Sequence, residues 1–142
     1  MRFIPFAAIL LAACSNEPSA PTVVTGIFAG DGRDALCIVG EAGQQRAGFI
    51  AYGAGDNNCS ARGRVESGGA NWTLVPDGDE ECRIPFGVEG DRISLRPGNA
   101  SCSYYCGPGA SFAEKSFQRA ERADKAAAAR NPMVDFAGDP LC

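Results

Sequence analysis

Hydrophobic and polar residues alternate through the middle of the chain. In residues 82–89, a cysteine or an apolar side chain occupies every second position, and arginine, proline, glycine and glutamate stand between them. The same period of two recurs in residues 59–66 and 92–96 and around Trp72. Successive side chains of a strand point to opposite faces of a sheet, so this pattern predicts antiparallel strands with one buried face.

Three short apolar runs precede these strands, at residues 23–28, 36–39 and 49–52. Segments rich in glycine, aspartate and asparagine separate the runs and indicate turns. About seven strands at intervals of roughly ten residues predict a mainly β fold, either a small antiparallel meander barrel or a strongly curled sheet. We expect this unit to occupy residues 23–98.

Residues 99–142 are predicted to form a cysteine-rich loop and a helical tail packed on the barrel. Ser111 and Glu114 have the spacing of a helix capping box. Helical spacing then continues up to Pro132, which ends the helix. The residues at this helical spacing are Ala113, Phe117, Ala120, Ala123 and Ala127. The alternative is a helix that binds a partner, because residues 112–130 carry a small excess of positive charge.

The chain begins with Arg2 and an apolar run at residues 3–13, which is too short to span a bilayer and is typical of a signal peptide. The run ends in Leu11-Ala12-Ala13-Cys14, which resembles the lipobox of bacterial lipoproteins. The resemblance implies that residues 1–13 are removed and that Cys14 is acylated. The alternative is an ordinary secretory signal that leaves Cys14 as a spare thiol.

The lipobox resemblance also implies a location. In enterobacterial lipoproteins an aspartate after the cysteine signals inner-membrane retention, and this chain has Ser15 there. We therefore expect attachment to the outer membrane through N-terminal acyl groups, on its periplasmic face, with the inner membrane as the alternative. Residues 14–22 are polar and proline-rich after the cysteine, which is typical of a tether between lipid and domain.

Six cysteines remain when Cys14 is set aside, and an even number in an exported domain predicts three disulfides. They are Cys37, Cys59, Cys82, Cys102, Cys106 and Cys142. A zinc site is the alternative, but the spacing of the close pair is Cys-x3-Cys and the chain has no histidine. Six cysteines allow 15 pairings, of which we expect the sequential set that joins 37 to 59, 82 to 102 and 106 to 142. A meander would bring the first five of them to one end of the barrel.

The composition argues against several functions. The chain has 13 basic and 17 acidic residues, a net charge of -4, which disfavours a nucleic-acid partner. The absence of histidine excludes triads and imidazole ligands. Asp77, Asp79 and Glu81 fit a hairpin turn better than a calcium loop. We predict no catalytic residues, no metal and no cofactor. A hydrolase that uses these three carboxylates with Asp31 and Asp34 is an alternative.

Two groups of side chains are candidates for binding. The first is a row of arginines on the polar faces of the later strands, which could bind the carboxylates or phosphates of an anionic envelope ligand. The second is a pair of tyrosines between two cysteines, which could contact a periplasmic protein or a sugar. The candidates are Arg62, Arg64, Arg83, Arg92, Arg96, Tyr104 and Tyr105. The alternative for the arginines is an ordinary solvated face interleaved with glutamates.

The size, lipid anchor, disulfides and predicted barrel resemble the membrane-bound lysozyme inhibitors of Gram-negative bacteria. The inhibitory loop of that family carries a Ser-Gly-x-x-Tyr pattern, but here Asn71 follows Ser67 and Gly68 at the place of the tyrosine. The resemblance therefore implies architecture rather than inhibitory activity. Residues 104–107 and 140–142 are similar to segments of small envelope lipoproteins of alphaproteobacteria, which implies no particular activity.

These observations together predict a non-enzymatic envelope lipoprotein whose barrel is a binding or inhibitor module facing the periplasm. One alternative is a lipocalin-like carrier that holds a small apolar ligand inside the barrel, lined by Trp72, Ile84 and Phe86. Another is a structural envelope lipoprotein.

Overall fold

The computed structural model describes residues 23–68, 71–120 and 133–142, and its eight antiparallel strands close into a barrel. Each strand pairs with the next in sequence, and the last returns to pair with the first. The strands are Gly26–Ala29 (β1), Ala35–Val39 (β2), Arg46–Tyr52 (β3), Asn58–Gly68 (β4), Asn71–Pro76 (β5), Ile84–Glu89 (β6), Arg92–Leu95 (β7) and Ser116–Arg119 (β8). The predicted mainly β fold is confirmed, with eight strands instead of seven.

The alternation seen in the sequence decides which side chains enter the barrel. On β4, Ala61 and Val65 are buried, whereas Arg62 and Arg64 lie on the outer face. The interior is filled by large side chains, as is usual for an eight-stranded barrel. Its rings pack on one another, with centroids 6.0 Å apart for Trp72 and Phe86 and 5.7 Å apart for Phe49 and Phe112.

The eighth strand occupies the place where the helix was predicted to start. A turn runs from Phe112 to Lys115, closed by a 3.1 Å hydrogen bond from the Lys115 amide to the Phe112 carbonyl. Glu114 within it has a left-handed backbone, with φ at 65°. The chain then extends, and Phe117 points into the core between outward-facing neighbours.

β8 forms because it closes the barrel. It pairs with both β7 and β1, whose edges would otherwise present unpaired amides and carbonyls. The helix predicted from Ser111 is therefore wrong as far as residue 120, and the barrel extends beyond the predicted boundary at residue 98. The remaining predicted helix positions, Ala123 and Ala127, lie outside the described residues.

One end of the barrel, here called the cysteine pole, is the end at which the even-numbered strands begin. A short 3-10 helix, Ala100–Tyr105, lies at this pole and brings two cysteines to it. Cys102 bonds to Cys82 just before β6, and Cys106 bonds to Cys59 at the start of β4. The predicted pair of Cys82 and Cys102 is confirmed.

The third disulfide joins Cys37 to Cys142, so the predicted pairs 37 with 59 and 106 with 142 are wrong. Cys37 and Cys59 cannot pair because they lie on opposite faces of the barrel wall. Cys59 belongs to the interior core, whereas Cys37 packs in a separate cluster on the outer surface. Four cysteines thus gather at the cysteine pole, and Cys37 lies within β2 away from them.

Residues 133–142, here called the strap, lie against the outer surface of the barrel. Leu141 is buried there with Cys37 and Ile50, and Cys142 fixes the strap covalently. The backbone of the strap comes so close to β3 that a Cβ added at Gly48 would stand 2.0 Å from the Leu141 carbonyl oxygen. Gly48 is therefore required for the strap to dock.

The strands also fix where the N-terminal segment attaches. Because β1 begins at the pole opposite to the cysteine pole, Val23 enters the barrel from that opposite end. None of the helices in the described parts of the chain is long and apolar enough to cross a membrane. The predicted signal peptide, lipobox and tether lie outside the described residues.

Candidate functional site

Three of the predicted binding residues meet in one cleft on the outside of the barrel. Arg62 of β4 and the two tyrosines of the 3-10 helix lie around a space of about 410 Å³, here called the tyrosine cleft. The strap forms its other wall. The lining residues that carry polar chemistry are Arg62, Asp77, Tyr104, Tyr105, Asp135 and Asp139.

Tyr104 is the most exposed large side chain of the cleft, with 85% of its surface in solvent. Its ring meets that of Tyr105 edge to face, with centroids 5.3 Å apart. Tyr105 is held in turn, because its hydroxyl donates a 3.0 Å hydrogen bond to the Asp79 carboxylate. The pair thus presents one fixed ring and one ring open to a partner.

Asp79 is held by the backbone of its own turn. Its carboxylate accepts the amides of Glu81 at 3.0 Å and Cys82 at 3.1 Å. The Cys82 amide, with the Tyr105 hydroxyl and the Glu81 amide, lowers the pKa of Asp79. Burial, together with the hydrogen bond to Asp79, raises the pKa of Tyr105 to about 12. Tyr105 therefore stays a neutral donor at physiological pH.

Three carboxylates face Arg62 in the tyrosine cleft. Asp77 pairs with Arg46, and one oxygen of Asp135 accepts the amides of residues 137 and 139 at 2.9 Å. Asp139 is exposed, and its carboxylate accepts no hydrogen bond from the described residues. Arg62 donates to the carbonyl of Pro140 at 2.7 Å. The cleft thus combines an exposed aromatic ring with an excess of negative charge.

The other predicted arginines are not brought together into one positive face. Arg64 binds Glu80 and Glu66, and Arg83 binds Glu66 as well, at distances between 2.6 and 3.0 Å. The hydrogen bond to Glu80, and to a smaller extent that to Glu66, raises the pKa of Arg64. The same hydrogen bond to Arg64 lowers the pKa of Glu80. This network neutralises the outer face of β4 and the segment that leads into β6.

The last two arginines, Arg92 and Arg96, lie on β7 and directly after it. Arg92 is exposed on β7, opposite Glu89 of β6 and Gln118 of β8. The Arg96 guanidinium lies over Gly87, where the missing side chain leaves room for it. Both are separated from Arg62 by β5 and β6, so the five arginines do not share a site.

Three of the carboxylates considered for hydrolysis, Asp34, Asp77 and Asp79, are engaged in structural contacts. Asp34 is 5% exposed, accepts the Tyr52 amide at 2.6 Å and binds the Lys115 ammonium at 2.9 Å. This pair ties the starts of β2 and β8 to the end of β3. In residues 23–68, 71–120 and 133–142, no three Cys, Asp or Glu side chains are arranged to hold a metal ion.

Sequence reasoning did not identify Asp135 and Asp139 as part of the site. They line the tyrosine cleft only because the strap folds back on β3, and the Cys37 to Cys142 bond that holds it joins residues 105 apart. The only signal in the sequence was the turn-like Asp135–Asp139 segment, which gives no indication of what it packs on.

Comparisons of the chain with protein-family models, with curated proteins and with solved structures found no match.

Proposed function

We propose that this chain is a lipid-anchored protein of the bacterial outer membrane whose barrel acts as a non-enzymatic binding module in the periplasm. The observation that carries the proposal is the tyrosine cleft, where the open ring of Tyr104 stands beside the carboxylates of Asp77, Asp135 and Asp139. Its partner is a periplasmic protein that presents a basic side chain.

The chemistry of the cleft supports a cationic partner group. A guanidinium or ammonium group can stack on a tyrosine face and pair with a carboxylate at the same time, and each contact strengthens as water is excluded. Asp139 has no partner among the described residues, and Asp135 keeps one oxygen for a new donor. The fixed ring of Tyr105 contacts the open ring of Tyr104 edge to face, which restricts that ring and lowers the entropy lost on binding.

The position of the cleft supports a role directed away from the membrane. The cleft lies beside the cysteine pole, because it is lined by the start of β4, the end of β5 and the 3-10 helix. Val23 enters at the opposite pole, so an anchor at Cys14 leaves the cleft on the far side of the barrel.

The competing functions receive less support. An anionic ligand would need several free arginines in one place. Arg64 and Arg83 are engaged by Glu66 and Glu80, and the strands that carry Arg62 and Arg92 are separated by β5 and β6. A carrier would need an open interior, but Trp72, Ile84 and Phe86 are packed in the core and at most 4% exposed. A structural lipoprotein would not need the cleft.

The proposal is tested with the mature chain, Cys14–Cys142, and an arginine-glycine repeat peptide as the probe, using isothermal titration calorimetry. We expect binding that weakens with salt, and Tyr104→Ala or Asp139→Asn should weaken it roughly fivefold or more, as expected for one lost cation–π or charged contact. Glu89→Gln is the matched control, because it removes one exposed carboxylate at the opposite pole.

Equal loss in the cleft variants and the control would mean nonspecific charge attraction, and no binding at all would reject a cationic partner. The lipid anchor has a separate test, the mass of the protein isolated from its own envelope. An unacylated Cys14 would contradict the anchor and leave the binding module to be judged by the peptide alone.

A further inference from the structure

A second concave surface lies on the other side of the strap. It is a groove of about 640 Å³ between β1, β2 and the strap, within the range of about 300–1,000 Å³ that is usual for small-molecule sites. Its walls are apolar apart from Thr25 and Glu41 near the ends of the strands. The apolar groove is lined by Ile27, Val39, Met133, Pro140 and the disulfide of Cys37 and Cys142.

The apolar groove opens where the N-terminal segment enters the barrel. Thr25 and Gly26 form part of its wall, and Val23, itself exposed, stands two residues before Thr25. Nine residue steps separate Cys14 from Val23, and an extended chain covers at most about 30 Å over that length. The groove is therefore within reach of a group attached to Cys14.

Cys14 is also the one cysteine left for modification. The chain has seven cysteines, and the three disulfides use the other six. We propose, building on the lipid anchor proposed above, that the apolar groove takes one acyl chain carried by Cys14 of the same molecule. The tether makes this an intramolecular event with an effective concentration in the millimolar range.

The shape and charge of the groove favour this occupant. It is concave, so an inserted chain is covered by the sheet on one side and by the strap on the other, and each buried methylene contributes about 0.8 kcal/mol. Glu41 lies at the edge of the groove and would repel an anionic bilayer surface. The groove therefore suits a single chain better than it suits the face of a membrane.

The test uses the mature chain, Cys14–Cys142, with its disulfides formed and Cys14 as the only free thiol. One sample is alkylated with N-hexadecylmaleimide and a matched sample with N-methylmaleimide, and their methyl NMR spectra are compared. We expect the long chain alone to shift the methyl signals of Ile27, Val39 and Met133. The protein should remain monomeric by light scattering, because the chain is covered.

Val39→Ser is expected to lower the equilibrium constant for insertion of the chain roughly fivefold or more, since it removes apolar surface from the groove wall. Val134→Ser is the matched control, because Val134 is 41% exposed, close to the 44% of Val39, but does not line the groove. Equal effects of the two variants, or a long chain that shifts no groove signal, would overturn the proposal.

Two further results separate the alternatives. If excess unlabelled protein removes the shifts, the chain binds a second copy rather than its own molecule, and the intramolecular proposal is wrong. If the protein isolated from its envelope carries no acyl group on Cys14, the lipid anchor fails and this inference fails with it. A chain that is acylated but leaves the groove signals unchanged rejects the inference while the anchor stands.

Discussion

The cysteine pole and the strap are both fixed by disulfides, but they differ in what lies beneath them. At the pole, Cys59, Cys82 and Cys102 are buried in the main core, and the bridges hold the 3-10 helix over the ends of the strands. The strap covers only the small outer cluster of Cys37, Ile50 and Leu141. The disulfides at the cysteine pole thus stabilise the barrel itself, whereas the disulfide of the strap holds a segment on its outer surface.

The comparison shows that the length of the loop closed by a disulfide does not alone determine how much the disulfide adds to the free energy of unfolding. The chain-entropy relation gives about 4 kcal/mol for the 47-residue separation of Cys59 and Cys106, and about 4.7 kcal/mol for a loop as long as that of Cys37 and Cys142. When the strap is released, however, it gains freedom in the folded protein as well as in the unfolded one. The longer loop should therefore contribute less.

The largest effect is expected at the cysteine pole. Replacing Cys59 and Cys106 together by alanine should lower the free energy of unfolding by about 4 kcal/mol, through the larger entropy of the unfolded chain. The measurement is urea unfolding at constant pH, with circular dichroism as the signal. A loss below about 1 kcal/mol would mean that the pole resembles the strap, and the contrast between the regions would disappear.

The second effect concerns the ion pair that ties β8 to β2 and β3 at this pole. Lys115→Met should cost about 2–4 kcal/mol, because it leaves the buried Asp34 carboxylate without its cation. Because Lys115 is partly exposed, we expect the loss in the free energy of unfolding to lie near the lower end of this range. Adding Asp34→Asn to the same protein should recover part of the loss, since the amide oxygen can still accept the Tyr52 N–H. No recovery in the double variant would show that Lys115 acts through packing instead.

The third effect tests the strap. Replacing Cys37 and Cys142 together by alanine should cost only about 1–2 kcal/mol in global unfolding, by the entropy argument above. The amide of Leu141, which bonds to the Met133 carbonyl at 2.8 Å, should nevertheless exchange with solvent much faster. Gly48→Val should give the same local opening with the disulfide intact. A global loss near 4.7 kcal/mol would make the strap part of the barrel's cooperative unit.

The smallest effect is a pH dependence at the tyrosine cleft. The pKa of Tyr105 is raised to about 12, above the value of about 10 for an unfolded chain, so its contribution to stability is fully present below pH 10. That contribution is lost as the pH rises from about 10 to 12. Tyr105→Phe should flatten the fall of unfolding free energy in this window, whereas Tyr104→Phe should not. Equal slopes in both variants would contradict a raised pKa of Tyr105.

Much of the barrel could be predicted because its signal is local. The period of two in residues 59–66 and 82–89 depends only on which side of the strand faces the core. β8 was missed because its four residues are too few to show a period and follow a segment with helix-capping spacing. These residues form a strand because they supply hydrogen-bond partners to the open edges of β1 and β7, which are distant in sequence.

The site was harder to predict, since it depends on contacts between remote segments. Arg62, Tyr104 and Tyr105 were identified one by one, but their common cleft also needs the strap. Alternation explains why Arg62, Arg64 and Arg92 lie on outer faces of strands. It did not reveal that Glu66 and Glu80 pair with Arg64, because these glutamates reach it from other positions. Alternation shows where a side chain points and does not show what pairs with it.

The strap forms a wall of both concave surfaces. Met133, Pro140 and Cys142 face the apolar groove, and Asp135, Asp139 and Leu141 face the tyrosine cleft. A ligand that shifts the strap at one edge therefore changes the shape of the other. A strap that moves in this way would couple the two surfaces, and thermodynamic reciprocity would then require each occupant to alter the affinity of the other by the same factor.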